Sequence, residues 1–172
     1  MKTIFFIYSH DALQMLVKLE TSMQAKNVRV NTKEGQARVY DDALVLDEDS
    51  EPMFRKLMLE AHADMMMALP TWMIADTPTD MQPVFSQFAD FSVDRDFSLW
   101  VNLPDDWPAQ YQKSADIKIQ QFLVDYICQK WYEKTMPELS ALYMQKLQPT
   151  KDEVVRLLSK KTETVRRRPS FL

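Results

Sequence analysis

The stretch "ADIKIQQFLVDYICQKWYEKT", residues 115–135, decides how this chain folds. Ile119, Phe122, Leu123, Tyr126, Ile127 and Trp131 recur at intervals of three and four and share one helical face. Ile117, Val124 and Cys128 widen that face until most of the circumference is apolar. A helix of this kind belongs at the centre of a molecule, with other elements packed around it. It is expected to begin near residue 109, after "LPDDWP", and to stop at Pro137.

Working outward from that helix, residues 137–147 place Leu139, Leu142, Tyr143 and Leu147 at helical spacing. Pro149 is expected to break this second helix. Thr150 and Glu153 then form a capping box for a last helix carrying Val154, Val155, Leu157 and Leu158. On the other side, "LDEDSEPMFRKLMLEAHADMMMALP" (46–70) reads as a clear helix start. Asp47 or Ser50 can cap it, Glu48, Asp49 and Glu51 suit the positive end of its dipole, and Pro52 is tolerated in the first turn. Phe54, Leu57, Met58, Ala61, Met65 and Ala68 form its apolar face, and Pro70 ends it.

The β-branched and aromatic run "KTIFFIY" (2–8) predicts a strand. Ser9 or Asp11 can cap a helix over about 11–26, with Leu13, Leu16, Val17 and Met23 on one face. "VRV" and "ARVYDDALVL" within 27–46, around a turn from Asn31 to Gly35, predict a first hairpin. Residues 71–87 read as a loop. "FADFSV" and "DFSLWVNL" around Asp94–Arg95 predict a second hairpin, in which Phe97, Leu99, Val101 and Leu103 alternate onto one side. The fold expected is therefore mainly α (α+β), a bundle of about four to five helices with one or two small β-hairpins. Residues 1–161 are expected to form a single globular domain, and 162–172 a basic C-terminal tail.

Composition narrows the chemistry. A chain of 172 residues with 46% hydrophobic content can bury a real core. It has one glycine, Gly35, so neither a P-loop nor a dinucleotide fingerprint can be written from it. The one cysteine, Cys128, rules out an internal disulfide and fits a reducing compartment. No apolar run is long enough to span a membrane, so no membrane association is expected.

The candidate sites are few. "DDALVLDEDSE" (41–51) holds six carboxylates, but "ALVL" interrupts the alternation of ligands that a calcium loop needs. The stretch reads as an acidic helix entrance. His62 and Asp64 are two residues apart on a helix and do not face each other. A zinc site or a nucleophile–base pair would have to use His10, His62 and Cys128, which no motif brings together. No catalytic residue, cofactor or metal is expected, and the chain reads as a non-enzyme. In the run Met65–Met67 only Met65 falls on the core face, which leaves Met66 and Met67 to solvent or to a subunit contact.

Charge is polarised. Residues 113–172 carry 12 Lys/Arg and 7 Asp/Glu, while residues 1–112 carry 9 and 18. Such a molecule varies along its surface in the ordinary way, stacks head to tail, or touches something acidic with its C-terminal end. The tail "KKTETVRRRPSFL" (160–172) has five basic residues and one acidic one. It reads as a solvated tail, as a nucleic-acid contact, or as a peptide that docks on a partner. In the docking reading Arg166, Arg167 and Arg168 pair with an acidic rim, and Phe171 and Leu172 enter an apolar groove.

The acidic start and amphipathic helix "DEDSEPMFRKLMLEAHADMM" (47–66) resemble the first helix of head–tail connector proteins of tailed bacteriophages and prophages. So do the later "LPDDWP" and the hydrophobic helix ending in "WY" (131–132) followed by charge. The resemblance covers about residues 45–135 and extends to the basic tail; residues 1–46 lie outside it. It implies a structural virion-assembly protein, a connector ring subunit joining the portal to the tail and lining the DNA path. The implied partners are the portal, tail-side connector proteins and further copies of the chain in a homo-oligomeric, about dodecameric ring, with non-specific contact to packaged DNA. The implied location is the virion, and the bacterial host cytoplasm before assembly. The alternative is an intracellular adaptor or regulator that binds a protein or nucleic acid through the basic tail.

Overall fold

The computed structural model describes residues 1–31, 45, 50–76 and 97–160, except for the side chains of 27–31. Four helices and a two-stranded antiparallel sheet make up its regular structure: β1 (Lys2–Tyr8), α1 (His10–Asn31), α2 (Glu51–Ala68), β2 (Phe97–Leu103), α3 (Gln112–Thr135) and α4 (Pro137–Leu158). Short 3-10 turns at Thr71–Met73 and Ala109–Tyr111 precede β2 and α3. The protein is mainly helical, a helical bundle with a small sheet.

α3 is the central helix. Ala115, Ile119, Phe122, Leu123, Ile127, Cys128 and Tyr132 are all buried, and α1, α2 and α4 pack against it. Two polar side chains, Asp125 and Gln129, are buried among them. Met136 turns in an extended conformation between α3 and α4, and Pro137 opens α4 where its missing N–H costs nothing. Gln129 Nε2 donates to Ser140 Oγ at 3.2 Å, and Ser140 Oγ donates to the Gln129 carbonyl at 3.0 Å. That reciprocal pair locks the corner between the two helices.

The break expected at Pro149 is not there. α4 runs through it, with Tyr143 buried before the proline and Thr150, Val154, Leu157 and Leu158 buried after it. The stripe stays in phase across the proline, so packing on α3 overrides the local breaking rule. Pro149 itself is exposed. The Gln145 carbonyl, four residues earlier and also on the exposed side, is the group that loses its helical partner. Thr150 is not an N-cap: its hydroxyl donates to the Lys146 carbonyl at 2.9 Å. Glu153 pairs with Lys118 of α3 at 3.0 Å.

The small antiparallel sheet forms from distant parts of the chain. β1 pairs with β2 from Lys2↔Leu103 to Tyr8↔Phe97. Ile4, Phe6 and Tyr8 face the core with Phe97, Leu99, Val101 and Leu103, as the alternation predicts. On the outer face Phe5 stacks on Trp100 at 4.9 Å. The other edge of β2 receives the Ala75 N–H at the Trp100 carbonyl, 3.1 Å, beside a bridge between Ile74 and Val101.

Three further expectations are corrected. "VRV" (28–30) is not a strand, because α1 continues to Asn31; the rest of that expected hairpin, and residues 88–93 of the second, lie outside the described residues. The buried stripe of α1 is Leu13, Val17, Thr21 and Ala25, and Met23 is exposed. Thr21 can be buried because its hydroxyl donates to the Val17 carbonyl at 2.9 Å, and its small size lets α1 approach closely. Leu142 also points to solvent.

Two starts match the sequence closely. Ser9 caps α1, its Oγ accepting from the Ala12 N–H at 3.5 Å. α2 buries Phe54, Leu57, Met58, Ala61 and Met65, while Met67 is exposed and Met66 packs partly on the core. Ser50 holds the N-cap position of α2 without a capping side-chain hydrogen bond.

Candidate functional site

The residues singled out for partner binding, Arg166, Arg167, Arg168, Phe171 and Leu172, lie outside the described residues. The two histidines and the cysteine are engaged separately. His10 sets its ring edge-on to Phe54, with centroids 5.3 Å apart. His62 donates from Nε2 to the Ser98 carbonyl at 3.2 Å and packs against Phe97. Asp64 turns away from His62 and pairs with Lys151 at 2.6 Å. Cys128 is fully buried, and burial, with Glu20 and Asp125 nearby, pushes its thiol well above the usual range. Among the described residues, no three His, Cys, Asp or Glu side chains come together as a metal site requires.

His62 gives the fold a pH dependence. Burial outweighs its hydrogen bond to Ser98 and holds the imidazole below its ordinary value of 6.5. The unfolded chain therefore takes up the proton first. The stability tied to neutral His62 is present above pH 6.5 and is lost as pH falls below it. Urea midpoints of the wild type and His62→Gln, measured from about pH 8 to about pH 5, are expected to diverge only in the acidic part of that range. Parallel curves would show that His62 carries no such linkage.

A polar constellation that sequence reasoning did not single out lies between α1, α3 and α4. Glu20 reaches in from α1. Tyr143 of α4 donates its hydroxyl to Glu20 Oε1 at 2.6 Å, and Gln24 Nε2 donates to the same oxygen at 3.3 Å. A neutral donor on a carboxylate makes a short, charge-assisted bond, and here it ties α1 to α4 over α3. Burial and the Glu20 hydrogen bond raise the Tyr143 hydroxyl far above its ordinary value, so it stays a donor. Its ring stacks on Tyr132 with centroids 5.9 Å apart, and Lys146 Nζ lies over the Tyr143 ring, 4.7 Å from its centroid.

Beside this cluster runs an open groove of about 420 Å³. Leu16, Leu19 and Glu20 form its α1 wall, Ile117, Gln120, Gln121, Val124 and Asp125 its floor on α3, and Lys146 its α4 wall. Asp125 is 6% exposed, and its Oδ2 has no hydrogen-bond donor among the described residues. Burial pushes its carboxyl up to about 6; Lys146 opposes that rise and Glu20 adds to it. The groove therefore combines apolar walls with a buried acceptor, the chemistry that suits a cationic group carried on an apolar chain. Comparison with family models, with curated proteins and with solved structures finds no match to this chain.

One signal for this site stood in the sequence. Asp125 interrupts the apolar run "FLVDYIC" (122–128), where a carboxylate is costly unless something compensates it. Glu20, Tyr143 and Lys146 carried no such mark, because only the packing of α1 and α4 brings them to Asp125.

Proposed function

We propose that this protein is a structural virion-assembly subunit, a connector ring subunit that joins a tailed-phage portal to the tail and lines the DNA path. The observation that carries the assembly part is the outer face of α1. Met15, Leu19 and Met23 stand one turn apart there and are 74%, 57% and 53% exposed. An apolar stripe of this length on a regular helix suits burial against another subunit. The placement in a connector rests on the resemblance of residues 45–135, and the polarised charge suits subunits that meet unlike ends. In this reading the protein performs no catalysis and needs no cofactor.

Two measurements test the proposal. Portal, capsid and tail genes are expected beside this one; a neighbourhood without them counts against the connector. Mixed with the portal, the protein is expected to form a ring, read by native mass and negative-stain imaging. Met15→Glu with Met23→Glu is expected to abolish that ring while leaving the thermal midpoint of the isolated subunit nearly unchanged, since both side chains are exposed. A subunit that stays monomeric beside the portal, or a ring indifferent to these two changes, would contradict the proposal.

A further inference from the structure

The small sheet has an open side. β2 pairs with β1 along one edge and takes Ile74 and Ala75 along the other, while β1 pairs with β2 alone among the described residues. Every second residue of an antiparallel strand directs its N–H and C=O away from its partner, so β1 offers donors and acceptors along its far side. A groove of about 440 Å³ lies there, with Phe5, Phe6 and Ile7 on one flank and the first turns of α3, including Lys113 and Asp116, on the other. Phe5 and Ile7 point outward and Phe6 inward. One groove touches all three only along the backbone edge of the strand.

Strand edges are normally blunted by proline, by charged side chains or by a bulge. From Thr3 to Tyr8 this strand has no proline and no charge, and its register with β2 runs without interruption. Phe5 and Ile7 are each 48% exposed beside the edge. Across the groove, Lys113 and Asp116 are exposed and one turn apart on the same flank of α3. That wall carries one cation and one anion. It is not the basic face that a phosphate backbone requires, and it does not repel a copy of itself. A two-fold axis through the groove reverses the order on the second copy, setting Lys113 against the partner's Asp116 and Asp116 against the partner's Lys113.

We infer that two copies of this chain pair through β1, edge to edge and antiparallel about a two-fold axis, so that their two-stranded sheets join into one. The contact is isologous, each copy supplying the same strand and the same α3 wall. Main-chain hydrogen bonds provide the affinity, as in other strand additions. Phe5 and Ile7 of both copies come onto one face, where aromatic and β-branched neighbours on adjacent strands add to the backbone bonds. The inference goes beyond the connector proposal and shares no residue with the stripe of Met15, Leu19 and Met23 on α1.

Sedimentation equilibrium of the full chain is expected to show a monomer–dimer equilibrium between about 1 μM and about 1 mM. Hydrogen exchange in residues 3–7 is expected to slow as the dimer fills. Lys113→Glu and Asp116→Lys are each expected to weaken the dimer about tenfold, since each replaces two attractive contacts by two repulsive ones. An equimolar mixture of the two variants is expected to pair as well as the wild type, which a merely structural role for either residue would not produce. A wild type monomeric throughout would leave the edge to another protein's strand and overturn the inference. Slow exchange at every dilution with a monomeric mass would assign the edge to another part of the same chain and overturn it too, as would a dimer with unprotected β1. If Asp116→Lys does not fold, Lys113→Glu and the exchange rates decide. Met15→Glu with Met23→Glu is expected to keep this dimer, so a failed ring and a failed pair are told apart; loss of the pair in that variant would contradict the β1 contact.

Discussion

Phe122→Ala is expected to remove about 3–5 kcal/mol of stability, a large part of what a domain of this size possesses. Phe122 is fully buried on α3, under the junction where α2 and α4 meet it. Its ring centroid is 5.9 Å from that of Tyr126, and Lys151 Nζ lies 5.5 Å over it while reaching across to Asp64. Removing the ring costs its transfer energy and leaves a cavity that three rigid helices cannot close. It also strips the support beneath the Lys151–Asp64 pair. Leu142→Ala is the matched control on α4, because Leu142 is 54% exposed and its loss should stay within about 0.5 kcal/mol. Urea unfolding of both variants checks the pair. Similar costs at the two positions would mean that the central helix is turned differently from the one described.

Pro149→Ala is expected to act in the opposite sense, raising stability by about 2 kcal/mol. That figure is the roughly 3 kcal/mol cost of proline inside a helix, less about 1 kcal/mol for the stiffness it lends to the unfolded chain. Pro149 is exposed, so alanine loses little packing, and the Gln145 carbonyl regains its helical donor. The urea midpoint should rise with an unchanged slope. A neutral or lowered midpoint would point instead to two helices meeting at Pro149, the arrangement its sequence alone suggests.

Much of the fold was legible in the residues. The broad apolar face of 119–131 places α3 at the centre, although Ile117, expected to widen it, is exposed, and Pro137 and Pro70 end helices where local rules say they should. Pro149 was misleading because its consequence depends on whether the apolar stripe stays in phase across it, which is a property of the whole helix. Thr21 and Met23 exchanged roles for a similar reason. Hydropathy alone puts methionine inside, but threonine can satisfy its hydroxyl on its own helix and allows closer packing. The partner of β2 was not legible, because nothing local in "KTIFFIY" names a strand some ninety residues away. At the site, Asp125 was visible as a misplaced carboxylate. Glu20, Tyr143 and Lys146 became its neighbours only through tertiary structure.

The pairing of β1 with β2 also sets a timetable. Tyr8 and Phe97 are 89 residues apart, so β1 leaves the ribosome long before its partner exists. At ordinary synthesis rates of about 5–20 residues per second the delay is roughly 5–20 s. Throughout it, Ile4, Phe6 and Tyr8 have no strand to face the core with. α3 and α4, joined by a single residue, can meet as soon as both are made. The local helical hairpin is thus the natural nucleus, and the sheet closes late, once Tyr8 and Phe97, 89 positions apart, have been drawn together. A newborn chain depends on that interval passing without its first strand finding another edge, which makes β1 the segment where chaperone contact during translation would matter most.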